Sequence, residues 1–430
     1  MKCDTADLSA CNLSTQKILR YHIGVRRIEP MLVYEFKLKG KAEQYRLIDE
    51  AIRTALFIRN KCIRHWLDNS KVGKYDLSAY CKVLASEFSF AKKLNSMARQ
   101  ASADRAWSAI SRFYDNCKKK VKGKKGFPRF KKRGHSVEYK TTGWKLSEDR
   151  KYLTLTDSFG MGKLKLIGTH DLHFYQLADI KRVRLIRRAD GYYAQFCINH
   201  NREIRTELTK RMIGLDVGLT NFYTDSDGNK VDNPRFLRPS EKSLKRLQKR
   251  VSKKFRRGQK QSNNYIKAKQ KLAKKHLKVS RQRKDWACKL AQCVIQSNDL
   301  IAYEDLQVRN MVKNHKLAKS ISDAAWYQFR VWLEYFGKIY GKITVAVPPQ
   351  YTSINCSNCG NEVKKTLSTR THKCSCGLVL CRDTNAAINI LTKGLGTVGH
   401  TGTWAQDALN AWGELSLYLD SVMDLDKDSR

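Results

Sequence analysis

The sequence predicts a multidomain α+β protein, on three observations. Period-two apolar alternation flanks a block of helical periodicity in the first half of the chain. Strand and helix patterns alternate over residues 211–350, which argues for an α/β sheet. Four closely paired cysteines stand just before the last helical segment, a spacing that suits a small metal module. At 430 residues the chain is long enough for two or three domains with cores of their own.

The elements follow in chain order. Residues 31–39, MLVYEFKLK, alternate apolar and polar and read as a strand. A helical pattern runs from about residue 43 to 120, with Leu47, Ile48, Ala51, Ala55, Leu56, Ile58 and Cys62 near a 3.6 period. A second helical block covers roughly 79–92, and SMARQASADRAWSAISRFYDNCKKK supplies a third. Alternation returns after residue 126 in VEYKTTGWKLSEDRKYLTLT and IKRVRLIRRADGYYAQFCIN. The second of these contains Asp190-Gly191, a hairpin signal. One small barrel with an inserted helical domain is therefore expected.

Residues 211–224, RMIGLDVGLTNFYT, read as one strand closed by the turn DSDG. Residues 241–284 read as a long helical stretch with few breakers, carrying 19 Lys or Arg and one acid, Glu241. Its apolar positions are Leu244, Leu247, Val251, Phe255, Tyr265, Leu272 and Leu277. DLIAYEDL then reads as a buried strand, AAWYQFRVWLEYFGKIYG as an amphipathic helix and KITVAVPP as another strand. After Leu391 the tail is Gly-rich, then acidic, and is expected to be poorly ordered.

Charge narrows the function. Lys and Arg number 84 against 40 Asp and Glu, a net charge of +44. Such a balance repels itself unless a polyanion neutralises it, and counterion release then drives binding. This disfavours an enzyme of small molecules and leaves a basic structural protein or an enzyme acting on nucleic acid. In CKKKVKGKKGFPRFKKRG, the residues Lys124, Lys125, Arg129, Phe130, Lys131, Lys132 and Arg133 combine phosphate-binding cations with a ring that can stack. A flexible basic linker is the plainer reading. Lys249, Arg250, Lys253, Lys254 and Arg256 are expected to line a nucleic-acid-facing hairpin. No run of 18 apolar residues appears, so no transmembrane helix is expected. The first 20 residues lack an apolar export segment, and a cytoplasmic protein is expected.

Of 13 cysteines, nine stand singly, for example Cys62, Cys197 and Cys288, and suit small buried thiols in a reducing cytosol. The other four are Cys356, Cys359, Cys374 and Cys376. Two thiolates from each of two tight turns complete a tetrahedral zinc site, and four sulfurs close it to catalysis. Gly360 and Gly377 follow the second Cys of each pair, where a knuckle benefits from positive φ. Cys381 reads as a small apolar residue, and His372 as a surface residue or a phosphate contact.

Three acids carry the remaining chemistry. In IGLDVGL, Asp216 shares one strand face with Gly214 and Gly218, which reads as room for a metal and a phosphate to reach the backbone. In DLIAYEDL, Glu304 and Asp305 point to opposite faces, and parity does not choose which one meets Asp216. Asp383 opens a helix whose Ala386 and Ala387 permit close packing on a sheet. Three converging carboxylates attract Mg²⁺ or Mn²⁺. Two such ions roughly 4 Å apart can activate water and stabilise a leaving oxygen in phosphodiester hydrolysis. Asp225 and Asp227 in DSDG read as turn residues.

The order GLDVGL, YEDL, TSINCSNCG and CSCGLVLCRDTNAAINIL resembles TnpB, the RNA-guided DNA nucleases of insertion sequences and ancestors of type V CRISPR effectors. FPRFKKRG, GWKL and TVGHTGTWAQ resemble the family too. The resemblance implies an RNase H-like RuvC nuclease domain over residues 209–350 and 381–396, interrupted by a zinc-binding module for target nucleic acid at 351–380. It further implies a wedge β-barrel at 1–45 and 126–208, with a helical recognition domain at 46–125 and a tail at 397–430. By motif, Asp216, Glu304 and Asp383 match the catalytic, Mg²⁺-binding acids, so the resemblance selects Glu304 over Asp305. Where many relatives carry an acid two residues before the last catalytic Asp, this chain has Cys381. The implied partners are a guide RNA from the transposon end and double-stranded target DNA beside a short adjacent motif. The implied setting is a monomeric ribonucleoprotein at a prokaryotic nucleoid, away from membranes. The alternatives are a compact type V CRISPR effector and a guided DNA-binding repressor without cleavage.

Overall fold

The computed structural model describes residues 31–200, 204, 206–366 and 368–398. The expected first 30 residues of the barrel part, the TVGHTGTWAQ motif beyond Val398 and the expected tail from residue 399 lie outside the described residues. The chain divides into two compact units, Met1–Asn201 and Arg202–Arg430. No helix among the described residues is long and apolar enough to cross a membrane.

The first unit is built on seven strands: β1 (Met31–Lys39), β2 (Ser136–Lys140), β3 (Trp144–Leu146), β4 (Tyr152–Leu155), β5 (Leu164–Ile167), β6 (Ile180–Arg188) and β7 (Gly191–Asn199). They form one sheet in the order β2-β6-β7-β1-β5-β4-β3. Its two edge strands are joined by a three-residue turn, Thr141–Gly143, so the sheet has to curl back on itself. The inward-facing residues Phe36, Leu153, Leu164, Val183 and Phe196 fill the curl. Four helices lie between β1 and β2 in sequence: α1 (Ala42–Asp68), α2 (Lys74–Glu87), α3 (Ser89–Lys93) and α4 (Ser96–Lys118). On α1 the positions Ile48, Ala51, Ile52, Ala55, Ile58 and Cys62 are buried, the 3.6-period stripe that drives its docking.

The second helical block begins earlier than its pattern suggests and is split. Gly73 N–H donates to Asp76 Oδ2 at 2.8 Å, which starts α2 at Lys74. Helix α4 is capped by Asn95, whose Oδ1 accepts from Met97 N at 2.7 Å. The basic segment that follows is clamped rather than free. Asn60 exchanges two hydrogen bonds with the backbone of Lys131, at 2.9 and 3.1 Å. Arg59 Nη1 donates to Arg129 O at 3.3 Å, and Asn116 Nδ2 to Lys125 O at 3.0 Å. Single cysteines divide: Cys62, Cys81 and Cys197 are buried, whereas Cys117 is exposed.

The second unit is a five-stranded mixed sheet. Its strands are β8 (Met212–Val217), β9 (Asn221–Asp225), β10 (Lys230–Asp232), β11 (Leu300–Glu304) and β12 (Ile343–Val347), in the order β10-β9-β8-β11-β12. The segment expected as one strand over 211–224 is a hairpin instead. β8 and β9 pair antiparallel, and Gly218 N donates to Phe222 O at 3.1 Å across the turn. β8, β11 and β12 run parallel.

The basic stretch is also two elements, α5 (Leu237–Lys254) and α6 (Asn263–Ser297). The first helix closes at Phe255, whose N–H donates to Ser252 O at 3.2 Å, and the chain then turns at Gly258, φ +73°. Leu244, Val251 and Leu272 seal the pair with Leu237, Leu247, Tyr265 and Ala268. Helices α7 (Val308–Met311), α8 (Ala318–Ala324) and α9 (Trp326–Ile339) follow β11, and the hairpin of β13 (Thr371–Lys373) and β14 (Val379–Cys381) precedes α10 (Arg382–Val398). Strand alternation divides the sheet between two cores. Ile213, Leu215, Ile301 and Tyr303 pack with Ala291, Phe329 and Leu333 of α6 and α9. Met212, Leu300, Ala302 and Val345 pack with Ile390 and Leu391 of α10 on the other face.

Candidate active site and thiolate cluster

The α10 face of the sheet carries two of the three acids. Leu215 stands opposite Tyr303 in the parallel β8–β11 register. Asp216 and Glu304 are the next residues, so they leave adjacent strand ends on the same face. Asp305 turns the other way: its N–H donates to Val347 O at 2.8 Å, and its carboxylate pairs with Arg330 of α9. Asp383 lies in the first turn of α10, which covers this face.

Helix and sheet meet without side chains between them. A Cβ on Gly214 would run into the Ala387 carbonyl oxygen and stand 2.8 Å from Leu391 N. One on Gly394 would stand 2.5 Å from Ala302 Cβ. The expectation that Gly214 leaves room for a metal and phosphate is therefore corrected: α10 fills that room. Gly218 belongs to the β8–β9 turn, where a Cβ would meet Asn221 O at 3.0 Å.

The electrostatics tie the three acids together. Burial, then the charges of Glu304 and Asp383, push the Asp216 carboxyl well above the usual carboxylate range, against the opposing Arg382. Burial also raises Glu304, opposed by a hydrogen bond from Thr352 and by the nearby Lys393. Thr352 Oγ1 donates to Glu304 Oε1 at 2.7 Å. Asp383 pairs with Arg382 at 3.0 Å and Arg370 at 3.7 Å. Cys381 is half-buried, and the N–H groups of Asp383 and Thr384 outweigh burial to lower its thiol. Thr352, Arg370, Arg382 and Lys393 are the site neighbours that sequence reasoning missed. Only Arg382 had a local signal, its place beside Asp383.

Among the described residues, the four cysteines are the one group of three or more Cys, His, Asp or Glu whose donor atoms all lie within 4.8 Å of one another. The three carboxylates are electrostatic neighbours without that degree of closure. Cys356 and Cys376 Sγ are 3.7 Å apart, and Cys359 and Cys374 Sγ 3.5 Å. Zn–S bonds of about 2.3 Å place tetrahedral sulfurs roughly 3.8 Å apart, so the cluster fits zinc. Disulfides would need about 2.05 Å. Gly360 and Gly377 adopt φ +78° and +92°. The backbone N–H of Leu378 and then Asn358 pull the Cys376 thiol down to about 6. Cys376 thus offers the thiolate form that a metal needs, whereas against the Asn361 N–H, burial and the neighbouring thiols push Cys359 up to about 12, so in the absence of metal the cluster shares its protons unevenly.

Two asparagines one turn apart fasten the cluster to α10. The fully buried Asn385 accepts from Ser357 N at 2.9 Å and donates to Asn355 O at 2.8 Å. Asn389 Nδ2 donates to Thr352 O and Asn355 O, each at 2.8 Å. His372, the middle residue of β13, is fully buried against Lys365, which corrects its reading as a surface or phosphate-touching residue. The alternation exposed–buried–exposed along Thr371, His372 and Lys373 is the physical reason. Asp225 accepts from Asn229 N at 2.8 Å and Asp227 pairs with Arg211 at 3.0 Å, so both serve the turn.

All but one of the residues singled out in the sequence as nucleic-acid contacts are exposed. Lys124, Arg129, Phe130, Lys131, Lys132 and Arg133 are exposed on the first unit, and Lys125 is half-buried, its Nζ on Val121 O at 2.6 Å. Lys249, Arg250, Lys253, Lys254 and Arg256 are exposed on and just beyond α5 in the second.

Residues 195–315 match the family described as "Probable transposase", and residues 326–390 the "Cas12f1-like, TNB domain". A "Putative RNA-guided DNA endonuclease" of Streptomyces pristinaespiralis is 40% identical over 44% of this chain and 46% of its own length. The "Putative RNA-guided DNA endonuclease InsQ" of Escherichia coli K12 is 30% identical over 66% of this chain and 72% of its own. The match thus spans about half of one curated relative and most of the other. The fold is similar to that of Cas12f1 in a complex with sgRNA and target DNA: TM-score 0.51 at 14% identity, over 81% of this chain and 83% of that one. By the InsQ match, the chain belongs to the TnpB family of insertion-sequence proteins.

Proposed function

We propose that the chain is an RNA-guided DNA endonuclease of an insertion sequence, cutting with a RuvC-type site on an RNase H-like domain formed by residues 209–350 and 381–396. One observation carries this reading. Asp216 and Glu304 leave adjacent parallel strands on the face that α10 covers, and Asp383, remote in sequence, opens α10, so three acids from β8, β11 and α10 share one locality. Clustered oxygen donors suit Mg²⁺ or Mn²⁺, with Asp216, Glu304 and Asp383 as the ligands. Such an ion, when bound, supplies activation of water and charge stabilisation at the leaving oxygen. The chain's own part is positional. β8 and β11 fix Asp216 and Glu304 side by side, α10 delivers Asp383, and Thr352 orients the Glu304 carboxylate. Arg370, Arg382 and Lys393 add positive charge beside the acids, where a DNA phosphate would lie.

Cys356, Cys359, Cys374 and Cys376 hold zinc and brace residues 351–380, a module for target nucleic acid next to α10. Residues 1–45 and 126–208, which contain the curled sheet β1–β7, serve as the wedge and residues 46–125 as the recognition domain. Guide pairing selects the DNA, and the protein reads only a short flanking motif. A guide RNA from the transposon end and double-stranded DNA are its partners, in a monomeric ribonucleoprotein at the prokaryotic nucleoid. The match to an insertion-sequence relative over 72% of its length favours this setting over a CRISPR one.

The test is purification with RNA co-expressed from the flanking DNA, sequencing of that RNA, and incubation with a plasmid library. Changing the guide sequence should move the cut to the new complementary target. Cutting that ignores the guide would overturn the reading.

A further inference from the structure

Well away in sequence from the carboxylates, the helical layer of the first unit carries an open cavity of about 360 Å³ lined by Glu50, Arg53, Thr54, Phe57 and Phe90. Glu50, Thr54 and Phe57 follow helical spacing on α1, with Lys61 one turn further along the same face. Phe90 comes from α3. The Phe57 ring centroid is 5.0 Å from those of Phe88 and Phe90, edge-on at 73° and 69°. Lys61 Nζ stands 5.1 Å from the Phe88 centroid. Thr54 is 3% exposed and forms the floor, whereas Phe90 is 38% exposed at the mouth. Phe90 lies outside the core cluster that its neighbours Ala91 and Leu94 join.

The chemistry of the lining selects a ligand. The exposed Phe90 ring at the mouth of an open, ligand-sized cavity suits a flat π-system. Arg53 lines it, and the exposed Lys92 and Lys93 follow Phe90 on α3, in a chain of net charge +44, so an anionic backbone is the complement. Unpaired bases stacked on aromatic side chains beside cations are the usual form of single-strand recognition. Glu50 is the discriminating group. A carboxylate at the wall repels phosphate and accepts from a donor, and the ribose 2′-hydroxyl is the donor that DNA lacks.

We infer that this cavity seats one unpaired ribonucleotide of a single-stranded RNA. Its base lies against Phe90, with Phe57 edge-on behind that ring, its phosphates face Arg53, Lys92 and Lys93, and its 2′-hydroxyl meets Glu50. The inference rests on the reading that RNA is a partner of this chain.

The experiment is ultraviolet crosslinking of the full chain, at elevated salt, to a short single-stranded RNA and to DNA of the same sequence. Adducts are mapped by peptide mass spectrometry. The expected result is an RNA adduct on the peptides carrying Phe57 or Phe90. It should fall about tenfold in Phe90→Ala, the scale of one stacked base, and persist in Phe90→Tyr. Glu50→Ala should erase the preference for RNA over DNA. Adducts confined to other peptides, or equal yields from RNA and DNA in the wild type, overturn the inference. A chain that binds no RNA overturns the RNA-guided reading with it. RNA binding of ordinary strength without adducts at these rings overturns this inference alone.

Discussion

The Ala387 carbonyl oxygen occupies the space that a Cβ on Gly214 would need, so α10 rests on β8 backbone to backbone. That contact sets the height of Asp383 above Asp216. Gly214→Ala would have to lift the helix, because the blocking atoms belong to backbone and not to a flexible side chain. Overpacking of this kind costs about 1–3 kcal/mol. The expected outcome is a lower urea midpoint and a loss of cleavage larger than the lost stability explains. A variant with wild-type midpoint and wild-type cleavage would show that the contact does not position Asp383.

The Asp216 carboxyl titrates well above its ordinary value through burial and two neighbouring acids. A carboxyl raised in the folded state favours folding below its unfolded value, about 3.9. That contribution is lost as pH rises through the raised value. Without added magnesium or manganese, Asp216→Asn should therefore be more stable than wild type at neutral pH. The difference should vanish below about pH 4. Thermal midpoints across that range check the sign.

The four thiolates should retain zinc through purification. Replacing one of them, as in Cys359→Ser, should weaken zinc by more than the roughly 10–100-fold that loss of an outer-shell partner costs. Zinc released to a colorimetric chelator measures this. Because Asn385 and Asn389 bind the backbone of residues 352, 355 and 357, limited proteolysis of that segment should accelerate when the zinc leaves.

Strand alternation made most of both sheets legible, and the cysteine spacing made the thiolate cluster legible before any coordinates. What stayed hidden depended on partners far along the chain. Gly214 read as open space because the helix that fills it lies more than 170 residues away. The β8–β9 turn lacks the Asn-Gly or Asp-Gly signal of a tight hairpin, so two strands read as one. Glu304 and Asp305 are equivalent by composition, and only the register of β11 beside β8 turns Glu304 toward Asp216. Thr352 and Asn385 carry no local pattern, since their roles are hydrogen bonds to elements 48 and 30 residues away. His372 was readable in principle from the alternation of THK, which three residues state too briefly.

Asp216, Glu304 and Asp383 are proposed to act as one metal-binding site for DNA hydrolysis. The most direct measurement is the rate of guided plasmid cleavage in Mg²⁺ by Asp216→Ala against wild type, each carrying the same RNA and binding the target equally. Losing a ligand to such a site removes several kcal/mol of charge stabilisation, a fall on the order of a thousandfold or more. Cleavage by Asp216→Ala at the wild-type rate would contradict the account.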